Sequence, residues 1–194
     1  MIIPEGFAQA NIKFAGVGLP TGAEITLGLD IRTYAGTPLQ LATEVLTQFQ
    51  LPAVRLNVAS EVTISSAMVK YGPAATGASA EYSNPLAGQG VAAAVSSNTA
   101  WLVKKVTAFG GRTGRGRFYF PGIPESVVTS AGVITAGNRT SMENAMEAMR
   151  ANLTTFGASP VVLHGASSPV ATPRLITAFS VDSKVATQRR RMRR

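Results

Sequence analysis

The sequence predicts a mainly β fold: a jelly-roll-like β-sandwich with two short inserted α-helices. An α+β sheet with both helices on one face fits the same pattern. Three observations lead there. Ala23 to Ile31 alternates apolar and polar residues at the period of a half-buried strand. Two separate segments open on threonine with Gln or Glu three residues later, followed by apolar residues at helical spacing. A long hairpin rich in glycine and arginine occupies the start of the second half. Together the segments amount to seven or eight strands and two helices.

Taken in order, Ala10 to Gly18 sets Ile12 and Phe14 on one face and Lys13 on the other. Pro20-Thr21-Gly22 then turns the chain into the next strand, where Ile25, Leu27, Leu29 and Ile31 alternate with Glu24, Thr26, Gly28 and Asp30. Thr37-Pro38-Leu39-Gln40 has the form of a helix start, with Thr37 as cap, Pro38 in the first turn and Gln40 closing a capping box. Leu41, Val45, Leu46 and Phe49 give that helix its apolar stripe, and Pro52 ends it. Val54 to Val58 reads as a short strand. Glu61 to Tyr71 reads as a longer one with Val62, Ile64 and Met68 on one face. Gly72 to Asn98 is rich in Ala, Ser, Gly and Pro and reads as a long surface excursion suited to contacts between subunits.

Trp101 to Phe109 (WLVKKVTAF) resumes as a strand, Gly110 to Gly116 breaks it, and Arg117 to Phe120 returns, so the tip carries the glycines and arginines. Thr140-Ser141-Met142-Glu143 forms a second capping box. Met142, Met146, Met149, Leu153 and Phe156 continue at helical spacing to a stop at Gly157. The methionines are expected in the core. Val161 to His164 and Leu175 to Val181 close the domain. These elements predict one β-rich structural domain over residues 1–183 and a basic tail over residues 184–194, extended unless bound.

Composition narrows the function. Only 14% of the 194 residues are charged against 45% hydrophobic, so small neutral residues cover much of the surface. The absence of cysteine removes disulfides, thiol nucleophiles and thiolate metal sites, and the single histidine, His164, leaves no multi-histidine site and is expected to be structural. The ten acidic residues are scattered, with one close pair, Glu143 and Glu147. No catalytic constellation, metal site or cofactor is therefore expected, and the protein is not expected to be an enzyme. Glycines 16, 18 and 22 lack the strand-to-helix context of a dinucleotide loop, and the Gly-Arg hairpin lacks the Gly-Lys-Ser/Thr of a phosphate-binding loop. No apolar run approaches bilayer length, and the start MIIPEGFAQAN has neither basic leader nor apolar core. The expectation is a soluble chain that neither enters a membrane nor is exported.

The net charge of +8 is unevenly placed. Lys104 to Arg117 carries five basic residues and no acid, Lys184 to Arg194 carries six and no acid, and the remainder holds seven basic against ten acidic residues. Two dedicated polyanion contacts on a mildly acidic scaffold would look like this. The candidate contact residues are Lys104, Lys105, Arg112, Arg115, Arg117, Lys184, Arg189, Arg190, Arg191, Arg193 and Arg194. Their partner is nucleic acid or the acidic surface of a neighbouring subunit, and the composition alone fits both.

The combination of GRTGRGRFYFPG at residues 111–122 with FSVDSKVATQRRRMRR at the end of the chain resembles small virion structural proteins of bacterial viruses. Arg112, Arg115, Arg117, Gln188, Arg189, Arg190 and Arg191 carry the resemblance, which lies in residues 98–194. It implies a capsid, head-decoration or tail-associated component, assembled in the host cytoplasm, and supplies no catalytic residue. The implied partners are copies of the same chain, other virion proteins and packaged nucleic acid, with no membrane. A low-charge surface of Ala, Ser, Thr and Gly agrees, because it is readily desolvated against copies of itself. A cellular nucleic-acid-binding module is the alternative that the two basic clusters suggest on their own.

Overall fold

The computed structural model describes residues 3–16, 24–50, 62–73, 77–81, 99–109, 112–121, 133–163, 173–181 and 186–187. Its strands are β1 (Phe7–Gly16), β2 (Glu24–Asp30), β3 (Val62–Tyr71), β4 (Gly77–Glu81), β5 (Thr99–Phe109), β6 (Arg112–Pro121), β7 (Ser159–Val162), β8 (Arg174–Val181) and β9 (Ala186–Thr187). The described helices are α1 (Pro38–Gln50) and α2 (Ala136–Thr155). Among the described residues, all nine strands join one sheet in the order β4-β3-β1-β2-β7-β8-β5-β6, with β9 added beside β5. Every pairing is antiparallel. The fold is thus an antiparallel sheet with two helices, mainly β in content.

One face of the sheet forms the core. Ala8, Ala10, Ile12 and Phe14 of β1, Ile25, Leu27 and Leu29 of β2, Ala67 and Val69 of β3, and Ile176, Phe179 and Val181 of β8 are all buried in a single cluster with the apolar stripes of both helices. α1 lies over β3 and β4, α2 lies over β7 and β8, and the helices touch each other. Gln48, buried in α1, is satisfied at that seam: its amide donates to Glu44 Oε1 at 2.6 Å, and its oxygen accepts from Asn152 Nδ2 of α2 at 2.9 Å. Both helices therefore cover the same face, the layout of the α+β alternative.

The capping box of α1 forms as its residues require. The Gln40 N–H donates to Thr37 Oγ1 at 3.3 Å, and the Thr37 N–H donates to Gln40 Oε1 at 2.8 Å. α2 does otherwise. It begins at Ala136, a turn before the expected box, behind Thr135, which makes no side-chain cap. Glu143 is drawn elsewhere: its Oε1 accepts the backbone N–H of Val181 at 2.9 Å, and Glu147 Oε1 one turn on accepts that of Phe179. The reason lies in the sheet. Among the described residues β7 meets β8 only at Leu175 and Arg174 and no other strand lies on that side further along, where the two carboxylates accept the N–H groups of Phe179 and Val181. At the other end of α2, Gly157 adopts φ +92°, and the Ala158 N–H donates to the Leu153 carbonyl at 2.8 Å, closing the helix as expected.

Three further expectations are corrected. Gly77–Glu81 is strand β4 paired to β3, not part of a loop: Ala78 and Ala80 are the register partners of buried Val69 and Ala67. Ile64 and Met68 do not share a face, because the β1–β3 register shifts between Lys13 and Phe14, pairing Ile64 with core Phe14 but Met68 with Asn11. Gly28 is buried rather than outward, since a Cβ there would come within 2.6 Å of Leu163 Cγ and 2.7 Å of the Val161 carbonyl oxygen. The expected strand at 54–58, the turn at 20–22, residues 82–98 and His164 lie outside the described residues.

Candidate basic interface

β5 and β6 pair without a break from Ala100 opposite Pro121 to Phe109 opposite Arg112. Residues 110 and 111 alone join them, so the Gly-Arg run expected at the tip is instead the first half of β6. That placement decides how the basic residues are distributed. Lys104 is the register partner of Arg117, and Val106 that of Arg115. With strand residues alternating between faces, Lys104, Arg115 and Arg117 share one face, while Lys105, opposite Gly116, and Arg112, opposite Phe109, fall on the other.

The neighbouring strand identifies which face is which. Lys105 pairs with buried Phe179 and Val103 with buried Val181, so the Lys105–Arg112 face is continuous with the helix-covered side. Lys104 pairs with Ser180 and Val106 with Ala178, both half-buried, so Lys104, Arg115 and Arg117 lie on the side away from the helices. Sequence reasoning grouped all five cations, and the register separates them three and two. Trp101, Phe118 and Phe120 follow the helix side, and Tyr119 follows the cations.

β9 places residues 186 and 187 of the basic tail beside β5. Thr187 pairs with Thr99 and Ala186 with Ala100, at the end of β5 remote from residues 110 and 111. Lys184, Arg189, Arg190, Arg191, Arg193 and Arg194 lie outside the described residues. Over the strands on this side, bare of any described helix, Lys13 faces Glu24 across β1 and β2, Gln9 Nε2 donates to Asn11 Oδ1 at 2.9 Å, and Lys70 is exposed on β3. Asp30 is held by Arg32 through a forked pair of 2.6 and 2.9 Å, and that bonding keeps its carboxyl below the ordinary aspartate value.

A second surface feature gave no sequence signal. Leu39, 55% exposed, and Phe156, 38% exposed, flank a recess of about 540 Å³ at the start of α1, lined also by Tyr34, Gln40, Thr43 and Glu44. The Tyr34 and Phe156 rings lie 5.3 Å apart. Burial, and after it the Glu44 charge, raises the Tyr34 phenol above its ordinary value. Phe156 continues the helical spacing of Met142, Met146, Met149 and Leu153 but is partly exposed. It is the C-cap of α2, still with helical backbone angles and its N–H bonded to the Asn152 carbonyl at 2.9 Å, and its ring lies against Tyr34.

Among the described residues no group of three His, Asp or Glu is placed to hold a metal ion, and no helix is long and apolar enough to cross a membrane. Compared with known proteins, the chain matches no family model, no curated protein and no solved structure.

Proposed function

We propose that this is a self-assembling virion structural protein of a bacterial virus, a capsid, head-associated or tail-associated component assembled in the host cytoplasm. Its role in this reading is structural rather than catalytic. The observation that carries the reading is the charge partition: a scaffold of seven basic and ten acidic residues bearing two acid-free cationic segments. The fold supports it in two ways. β4 and β6 end the strand order, so each offers a backbone edge that no described strand occupies and that a second copy can extend. The sheet face that no described helix covers offers a surface for a neighbour or for packaged genome.

In its finer form the proposal includes a jelly-roll-like closure. Contact between β2 and β6, four places apart in the order, supports a sheet that curls back on itself. A cellular nucleic-acid-binding module is the second reading, favoured by the cationic segments taken without the small-residue surface. Size-exclusion chromatography with light scattering separates the two. A discrete, closed or ring-like homo-oligomer is expected; a monodisperse monomer across concentration and salt overturns the virion reading.

A further inference from the structure

We propose that the recess between the start of α1 and the end of α2 is a docking site for an arginine side chain presented by a second copy of this chain. The inference rests on the virion reading for self-assembly, and its argument starts from four carboxylates. Among the described residues, Asp30, Glu44, Glu143 and Glu147 are the half-buried acids. Asp30 is forked to Arg32, Glu147 is paired with Arg150, and Glu143 accepts the Val181 N–H. Glu44 differs. Among the described residues its hydrogen-bond partner is the neutral amide of Gln48, and no cation meets it. A carboxylate drawn partly out of water is unfavourable until a cation joins it. The Glu44 charge is felt inside the recess: burial first, and then that charge, raises the Tyr34 phenol above its ordinary value.

The rest of the lining selects the kind of cation. The Tyr34 and Phe156 rings, 5.3 Å apart and tilted by 34°, stand beside the exposed Leu39 side chain, and among the described residues no basic group lines the recess. A guanidinium is flat enough to lie on an aromatic ring while its fork meets a carboxylate, and its aliphatic stem covers apolar surface. An ammonium lacks both the plane and the fork. An anion would be repelled by Glu44, and a wholly apolar side chain would seal that carboxylate from water without a partner. The chain itself supplies the group that fits. Thirteen of its eighteen basic residues are arginine, against ten acids in all, so each copy brings more guanidinium groups than its own carboxylates can pair.

The test uses the full chain, with the midpoint concentration for dissociation read by light scattering on dilution. E44Q keeps an oxygen for the Gln48 amide and removes only the charge, so its thermal melt is expected to match that of the wild type. Its midpoint is expected to rise about 10-fold, between the few-fold effect of an exposed ion pair and the larger loss of a buried charged hydrogen bond. F156A, which removes one ring, is expected to raise it roughly 2- to 5-fold. Free arginine is expected to dissociate the wild type at lower concentration than free lysine at equal ionic strength, and E44Q is expected to lose that difference; a difference that persists in E44Q overturns the assignment of Glu44. The occupant is read directly by replacing Leu39 with the photo-cross-linker p-benzoylphenylalanine in an equal mixture of nitrogen-14 and nitrogen-15 chains. Mixed-isotope cross-links to a segment within two residues of an arginine are the expected product. Cross-links confined to one copy, to a segment without arginine or to a different protein overturn the inference. A persistent monomer overturns the virion reading, and with it the second copy as occupant. Assembly that E44Q leaves unchanged, with no cross-link from position 39, overturns this inference alone.

Discussion

The two faces of the sheet carry different chemistry along the same strands. On β1, Ala8, Ala10, Ile12 and Phe14 are sealed beneath α1, while Gln9, Asn11 and Lys13 look the other way and stay partly or fully exposed. On β5 the same alternation separates Val103, Lys105 and Thr107 from Lys104 and Val106. The covered face gains its stability from apolar burial and from the hydrogen bonds that α2 lends to β8. The other face, which no described helix covers, carries Gln9, Asn11, Lys13 and Lys70, polar side chains that add little to apolar burial. Stability and interaction are thus assigned to alternate residues of one strand, and mutations should divide along the same line.

The largest effects belong to the covered face. Phe49, 1% exposed and at the centre of the cluster, should cost about 3–5 kcal/mol as F49A in urea unfolding. Replacing Glu147 by Ala leaves the Phe179 N–H without its carboxylate and frees Arg150, bonded to Glu147 Oε2 at 2.8 Å; about 1.5–3 kcal/mol is expected. E147Q, which keeps an acceptor, should cost less. T37A removes half of the α1 capping box and should cost about 1 kcal/mol. On the bare face, K70Q should change stability by less than about 0.5 kcal/mol, and a loss as large as that of E147A would break the division.

The smallest effects are pH-dependent. Burial pushes the Tyr71 phenol up to about 12, and its Oη is buried with no hydrogen-bond partner among the described residues. A raised folded value means stability present below the unfolded value near 10 and lost as pH rises through the folded one. Y71F should abolish that alkaline loss at little or no cost near neutrality, read by thermal melts across pH. Asp30 acts in the opposite range. Its lowered folded value gives stability present above about pH 4 and lost as pH falls further, a loss that D30N should remove.

Much of the covered face was legible because burial imposes periodicity. The alternation in β2, the stripe Leu41, Val45, Leu46 and Phe49, and the methionines of α2 all follow from a single apolar surface in contact with a strand or helix. Where residues answered to partners distant in the chain, the sequence was silent or misleading. Thr140 and Glu143 have the spacing of a capping box, yet Glu143 serves a strand 38 residues away. The shift between Lys13 and Phe14 leaves no local mark and moves Ile64 to the opposite face from Met68. Gly77–Glu81 has too few apolar residues to announce a strand, because it lies at a sheet edge under α1. The same holds for the basic segment: its composition was plain, but only the β5–β6 and β5–β8 registers sort its cations by face.

Lys104 and Lys105 make that sorting directly measurable, since adjacent residues of one strand fall on opposite faces. Lysine acylation followed by mass spectrometry, on the dissociated and on the assembled protein, reads both in one peptide. Protection of Lys104 with Lys105 unchanged is the expected result. Equal protection of the two, or protection of Lys105 alone, would contradict a contact surface on the bare face of the sheet.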